Sequence, residues 1–309
     1  MAAAKGFKIY YKVLYSNKVI QKSNLNKISI IIVTYNAAKT LVAAINSVIN
    51  QPYLNFELII IDGNSNDNTV KIIEEYGAAI SYFISEPDNG IYDAMNKGIM
   101  AAKGDWLFFL GADDTLNKHV LQQIFEEKTI DPAIQLVYGK INILGTNKTQ
   151  GVATNYINLI ENNIPHQAIF YHKTIFSTIT GYNVQYKILA DYYLNLKIFE
   201  QGLFKTTFVD TAIVTFNSKG LSNRTIDFLF FNNQLAYFIK VKNIHKNTPY
   251  LAKYYFFIGV GYILQKQYFM GLKHLLQAIK ISNKKGYSFM LVIDFLLSKI
   301  HLRKKYALA

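Results

Sequence analysis

The chain has 309 residues, 51% of them hydrophobic, so it can bury a large core and disorder is excluded as its main state. It has no cysteine, which excludes a disulfide frame and a thiolate metal site, leaves oxygen and imidazole as metal donors, and suits a reducing cytoplasm. The net charge of +13 is segregated: Met1 to Ser218 carries 18 Lys and Arg against 18 Asp and Glu, whereas Lys219 to Ala309 carries 15 basic residues against Asp227 and Asp294 alone.

Residues 1–27 read as an N-terminal extension without the continuous apolar run of a signal peptide. Strand and helix signals then alternate, the pattern of an α/β fold with a Rossmann-like, mostly parallel sheet flanked by helices. Ile28 to Val33 reads as a buried β-branched strand, Ala37 to Asn50 as a helix, Phe56 to Ile61 as a second strand and Thr69 to Tyr76 as a helix. Ile80 to Ser85 is a third strand, Tyr92 to Ala102 a helix ended by Gly104, and Asp105 to Leu110 a fourth strand. Ligands of open α/β sheets bind at the carboxyl ends of the strands, so the loops at Thr34, Asp62, Glu86 and Gly111 are expected to converge on one site.

A helix is predicted from Leu116 to Glu127, then a hairpin of Leu136–Leu144 with Thr149–Ala153, a strand Ala168–Tyr171, a helix Ile188–Glu200 and a strand Lys205–Phe216. After Gly220 the sequence reads as a C-terminal helical extension, with helices near Thr225–Lys242, Tyr250–Gln267, Phe269–Ile281 and Tyr287–Lys304. The predicted boundary lies near Asn217 to Asn223, giving a catalytic domain over 28–218, with halves 28–116 and 117–218, and a basic, aromatic tail over 219–309.

Asp113 and Asp114 follow an apolar strand through a Gly-Ala turn. Two adjacent carboxylates at a buried strand end call for a neutralising cation, and Mg²⁺ or Mn²⁺ would bridge them to diphosphate oxygens; alternatively Asp113 caps a following helix. Asp62 ends its strand, where a carboxylate can accept a hydrogen bond from a nucleobase N–H, and Asp67 or Asn68 can cap the next helix. Tyr35 can flank a base or simply pack. Asp93, Asn96 and Lys97 share one face of a helical start, placed to orient a ribose or a diphosphate.

Together these loops, VTYNAAKTL, IIIDGNSNDNT, SEPDNGIYDAMNKGI and GDWLFFLGADD, resemble glycosyltransferase family 2, a GT-A fold family, in order and spacing from Ile28 to Leu116. The nearest likeness is to enzymes building O-antigen, capsule and colanic-acid type polysaccharides. The resemblance implies that Thr34, Tyr35, Asn36, Asp62 and Asn64 contact the nucleotide, that Asp93 and Asp113 hold the ribose and nearby phosphate, and that Asp114 ligates Mn²⁺ or Mg²⁺. The motif here is Gly-Ala-Asp-Asp, so the first acid of a strict DXD is absent. A looser likeness through Pro165-His166-Gln167-Ala168, Gly181-Tyr182 and Ile188 to Leu194 implies Asp191 as general base, with His166 and Gln167 in an acceptor or phosphate pocket. Gly220-Leu221-Ser222 resembles a loop that closes over the donor.

The implied activity is inverting transfer of one sugar from a nucleoside-diphosphate donor, UDP by default, to a lipid-linked glycan. Processive relatives carry a Gln-x-x-Arg-Trp segment, and the only tryptophan here is Trp106 in the fourth strand. Nucleotidyl transfer would need a glycine-rich phosphate loop, and Thr34 to Thr40 has no glycine. The remaining alternative is a catalytically inactive nucleotide-sugar or membrane-binding module. The basic, aromatic tail suits anionic lipid at the inner face of the plasma membrane through Lys240, Lys242, Lys284, Lys285, Arg303, Lys304 and Lys305, or else a solvated helical cap; no nucleic-acid motif accompanies it.

Overall fold

The computed structural model describes residues 26–128, 130–217, 225–282 and 307–308. Seven consecutive residues of β1 (Ile28–Thr34) are all buried, as a parallel strand covered on both faces requires. β1 pairs in parallel with β2 (Phe56–Asp62) and β4 (Trp106–Gly111), and β2 with β3 (Tyr82–Ser85). Beyond β4 the sheet turns mixed: β8 (Ile169–His172) is antiparallel to both β4 and β6 (Ile134–Ile143), β9 (Lys205–Phe216) is parallel to β6, and β5 (Thr115–Leu116) is antiparallel to β9. The strand order is β3-β2-β1-β4-β8-β6-β9-β5, with β7 (Thr149–Gln150) hairpinned onto β6.

Alternate residues of the strands feed two cores. One face, with Ile30, Ile32, Phe108 and Phe170, packs on α1 (Leu41–Ile49), α2 (Thr69–Tyr76) and α4 (Val120–Phe125). The other, with Ile31, Val33, Phe109 and Tyr171, packs on α3 (Ile91–Ala101), α5 (Tyr156–Glu161), α6 (Lys173–Thr178) and α7 (Ala190–Gln201). Helix α3 lies close on β1 because residue 98 is glycine: a Cβ there would stand 2.5 Å from Ile31 Cγ2. At the edge opposite the strand ends, buried Glu57 accepts bonds from Lys27 Nζ, Ser29 Oγ and Lys103 N; burial raises its pKa, but these partners outweigh it and hold the carboxyl below the usual range.

The tail helices α8 (Phe228–Lys240), α9 (Ala252–Leu264) and α10 (Tyr268–Ile281) do not form a separate core. Phe230, Phe238, Tyr254 and Leu275 join the same buried cluster as Tyr192, Ile198 and Ile31. Asp227 caps α8, its Oδ1 accepting from Phe230 N at 3.1 Å, while its Oδ2 accepts from Ile188 N at 3.0 Å and Leu189 N at 3.3 Å, tying the tail to the start of α7.

Most predicted elements are present within a few residues of their expected ends. The helix expected from Leu116 is a correction. Residues 115–116 form β5, with Leu116 N donating to Ser47 Oγ and Asn117 N to Ile213 O, and the helix starts only at Val120. The asparagine breaks the apolar period, so edge pairing with β9 wins over helix propensity. Thr225–Ile226 likewise is a short strand (β10), paired with Ala307–Leu308 (β11). The predicted helix over 287–304 lies outside the described residues, as do Gly220-Leu221-Ser222 and the basic residues from Lys284 to Lys305. Among the described residues no helix is long and apolar enough to cross a membrane.

Candidate active site

The strand ends of β1 and β2 are laced together. Gly63 N donates to Thr34 O at 2.9 Å, Asn36 N to Ser65 Oγ at 2.8 Å, Asn66 N to Asn36 Oδ1 at 2.8 Å, and Ala37 N to Thr69 Oγ1 at 2.9 Å. Asn36 and Asn64 both take positive φ, of 50° and 65°, a region that asparagine tolerates better than most side chains. Asp62 is fully buried; its Oδ2 accepts from Ser65 N (2.9 Å) and Ser85 Oγ (2.6 Å) and its Oδ1 from Ser65 Oγ (2.5 Å). Its carboxylate therefore binds β2, β3 and the intervening loop to one another. Asp67, not Asn68, serves the start of α2, accepting from Thr69 N at 2.9 Å.

Around that frame stand groups with unspent chemistry. Tyr35 is 61% exposed and Asn64 is exposed, while Thr34 Oγ1 is buried without a hydrogen-bond partner among the described residues. Asp88 approaches from the β3–α3 turn so closely that a Cβ on Gly63 would lie 2.5 Å from its Oδ2 and 3.5 Å from Tyr35 Cδ2. Tyr35, Gly63 and Asp88 thus form one crevice wall, and Asp88 was not singled out among the site residues by sequence reasoning. Asp93 accepts from Asn89 N at 3.0 Å, closing the turn ahead of α3. Asn96 and Lys97, expected to face a ligand, are committed within the protein: Asn96 bonds the backbone of Tyr182 twice, and Lys97 pairs with Glu86 at 2.8 Å and Pro87 O at 3.1 Å.

Past the end of β4 the two acids close over Gly111, where a Cβ would meet Asp114 Oδ2 at 2.6 Å and Asp113 Oδ1 at 3.2 Å. Asp113 caps no helix, because β5 follows it. Asp114 is buried; its Oδ1 accepts from Asn217 N at 2.8 Å. Burial pushes its pKa up to about 7, with Asp113 adding to the rise and the Asn217 N–H opposing it, and burial also raises Asp113. A desolvated carboxylate beside a second one fits a hard divalent cation. No cluster of three or more metal-ligating side chains occurs among the described residues, and Mg²⁺-type sites built on one or two carboxylates plus substrate phosphates need none.

Asp191 occupies the first turn of α7 and is 6% exposed. Tyr92 Oη lies 2.7 Å from its Oδ1 and 2.6 Å from Ile188 O, and Asn163 Nδ2 donates to its Oδ2 at 2.8 Å. Asn163 is held in turn by Asn195, whose Nδ2 donates to Asn163 Oδ1 at 3.0 Å and whose Oδ1 accepts from Tyr171 at 3.1 Å. His166 Nδ1 stands 3.7 Å from Asp191 Oδ2; burial lowers its pKa and outweighs the neighbouring carboxylate, so the imidazole is neutral at pH 7. Gln167 is buried beside it. Tyr92 joins this pocket to the β3–α3 turn, being the second residue of α3 and next to Asp93. Its ring and that of Phe109 on β4 each lie 5.4 Å from Tyr182. Sequence reasoning missed Tyr92, Asn163, Asn195 and Asp227. Tyr92 stood inside a quoted motif and Asn163 two residues before Pro165, but nothing local marks either as a partner of residue 191.

Residues 29–208 match the family described as Glycosyl transferase family 2. The chain is 37% identical over 209 residues to a PGL/p-HBAD biosynthesis glycosyltransferase of Mycobacterium tuberculosis, covering 64% of this chain and 80% of that one. Its fold is similar to Staphylococcus aureus TarS 1-349 in complex with UDP-GlcNAc, with a TM-score of 0.58 and 18% identity over 90% of this chain and 88% of that one. It also resembles a mannosyltransferase from Pyrobaculum calidifontis in complex with GDP-Man and Mn²⁺, with a TM-score of 0.52 and 12% identity over 91% of this chain and 83% of that one. With more than half its length matched and a GT-A-like architecture, the chain belongs to glycosyltransferase family 2 and is a glycosyltransferase.

Proposed function

We propose that the chain moves one sugar, with inversion, from a nucleoside-diphosphate sugar, UDP-linked by default, to a lipid-linked glycan in cell-surface polysaccharide synthesis. The observation that carries this reading is Asp191: a buried carboxylate, oriented by Tyr92 and Asn163, and joined through Tyr92 to the first turn of α3, which carries Asp93 and follows the turn that carries Asp88. Tyr35, Asn64 and Thr34 line the base side of the donor crevice, shaped by Asp62 and Asn36. Asp113 and Asp93 face the ribose and nearby phosphate, and Asp114 holds Mn²⁺ or Mg²⁺. The ion, when bound, supplies positive charge to the leaving diphosphate.

Asp191 takes the proton of the acceptor hydroxyl as its oxygen bonds to the anomeric carbon; the bond to the phosphate oxygen breaks on the opposite side, and its electron pair leaves with the nucleoside diphosphate. Neutral His166 beside the carboxylate adds no positive charge that would weaken it as a base. Turnover of UDP-sugars in Mn²⁺ tests the reading. Asp114→Ala and Asp191→Ala should each lower kcat by about 10²–10⁴, with UDP still raising the melting temperature of Asp191→Ala; unchanged rates in both variants would discard it.

The acceptor's lipid is reached, in this reading, by peripheral contact of the tail with the inner membrane face. Between Phe228 and Ser282 there is no acidic residue, and α10 exposes Phe269 (80%), Leu276 (58%) and Leu272 (48%) beside exposed Lys266, Lys273 and Lys280. The protein should float with phosphatidylglycerol-containing vesicles at low salt, and less so as Phe269→Ser with Leu272→Ser. Equal recovery on neutral phosphatidylcholine at all salt concentrations would remove the electrostatic part of the claim.

A further inference from the structure

A cavity of about 360 Å³ opens beside Asn163, the partner of Asp191, between the segment that follows β7, helix α5 and residues 162–165. Its walls are built rather than incidental. Gly151, at φ 120°, lies directly on β6, where a Cβ would meet Gly139 O at 2.7 Å and Lys140 Cα at 2.9 Å. Thr154 N donates to Tyr138 Oη at 2.9 Å, and Asn155 caps α5 by accepting from Asn158 N at 2.9 Å. From the tail, Lys253 Nζ donates to Glu161 O at 3.1 Å, holding the last turn of α5 in place.

The lining differs in kind from the donor crevice. Gln150, Asn158 and Asn162 present carboxamides that make no side-chain hydrogen bond among the described residues, and Glu161 adds a carboxylate. Val152, 74% exposed, offers an apolar surface, and among the described residues no lysine or arginine lines the space. Such a set gives a phosphate no cation to pair with, the first turn of α5 being already capped by Asn155, and suits a neutral ring with hydroxyls at its rim and an apolar face. Asn163 forms part of the wall and donates to Asp191 Oδ2, so whatever fills the cavity lies one side chain from the base.

We propose that this cavity is the acceptor subsite and that it takes a neutral sugar residue of the glycan, with Gln150, Asn158 and Asn162 reading its hydroxyls. The inference rests on the glycosyltransferase reading above and adds to it where, and what kind of, acceptor is held. It predicts that the diphosphate of a lipid-linked acceptor stays outside the cavity and that a glycan without its diphosphate is still used.

The test compares two fates of one donor: hydrolysis of a UDP-sugar by water, and transfer to a panel of neutral octyl glycosides (glucose, galactose, mannose, N-acetylglucosamine, rhamnose). Val152→Trp fills the cavity from an exposed position, and Asn158→Ala removes one amide while leaving the backbone N–H that Asn155 caps. Transfer to the best glycoside should fall at least tenfold in kcat/KM in Val152→Trp and several-fold, through KM, in Asn158→Ala, with acceptor-free hydrolysis within about twofold of wild type. Unchanged transfer in both variants, or hydrolysis by wild type with no glycoside used, overturns the subsite. Absence of both hydrolysis and transfer in wild type strikes instead at the donor chemistry.

Discussion

Asp62 and Asp191 are both buried carboxylates held by hydrogen bonds from two other residues, yet they are assembled from different distances along the chain. The partners of Asp62 are three and 23 residues away, on the loop it begins and on the adjoining strand. Those of Asp191 are 99 and 28 residues away, and the asparagine among them depends on a further one on α7. The surroundings of Asp62 are a local property of consecutive strand ends, whereas Asp191, the proposed base, is positioned only once both halves of the sheet and the helices across them have packed. In the proposed function, the donor side is therefore set by loop geometry, and the base by the integrity of the core.

The largest effect that can break this contrast comes from matched substitutions. Asp191→Asn keeps the shape and loses the base, so kcat should fall by about 10³ with donor KM and thermal stability nearly unchanged. Asp62→Ala leaves two serine hydroxyls and a backbone N–H without their acceptor, at about 1–3 kcal/mol each for groups that stay buried, and should act through stability and donor KM. Steady-state kinetics with a urea titration of each variant separates the two. A loss of kcat alone in Asp62→Ala would mean that Asp62 touches the reacting groups.

Legibility followed the same division. The strands β1, β2 and β4 and the acids at their ends were readable because parallel strands buried on both faces are near-continuous apolar runs, and the polar loops follow at once. Asp191 was readable only through resemblance. Its partners Tyr92 and Asn163 come from elements whose packing no local period encodes, and the edge strand Thr115–Leu116 is too short to alternate visibly. The tail was legible as helical but not as part of the main core, since an apolar face does not name what covers it. Asp227 had registered only as one of the tail's two acids, although it binds three backbone N–H groups across 39 residues.

That residue supplies the next test. Asp227→Ala removes an N-cap, worth about 1 kcal/mol, and strands the Ile188 and Leu189 N–H groups, so a loss of about 2–4 kcal/mol is expected. Ile188 O is also the second neighbour of Tyr92 Oη, so kcat should drop several-fold below the temperature at which the variant unfolds. Asp227→Asn keeps one acceptor oxygen, enough either for the cap or for the Ile188 and Leu189 N–H groups, and should restore only part of the loss. If kcat of the folded Asp227→Ala enzyme equals wild type, the tail stabilises the fold without positioning the base.

The smallest expected effect concerns Lys253, which joins the tail to α5 at Glu161 O and lies over the Tyr192 ring at 5.1 Å. Burial pushes its pKa down to about 8, more than Glu161 raises it. The unfolded chain keeps this proton to about pH 10.4, so between about pH 8 and 10 it binds more protons than the folded one, and stability must rise with pH over that window. Below pH 8 both states are charged and the contribution is flat. Buried tyrosines with raised pKa values act in the opposite sense above about pH 10, because the folded state then keeps the protons that the unfolded chain loses. Comparison with Lys253→Met cancels them: the wild-type urea midpoint should gain on the variant by the equivalent of about 1 kcal/mol between pH 8 and 10. Parallel midpoints would mean that the ammonium is solvated and that the tail is held to α5 by apolar packing alone.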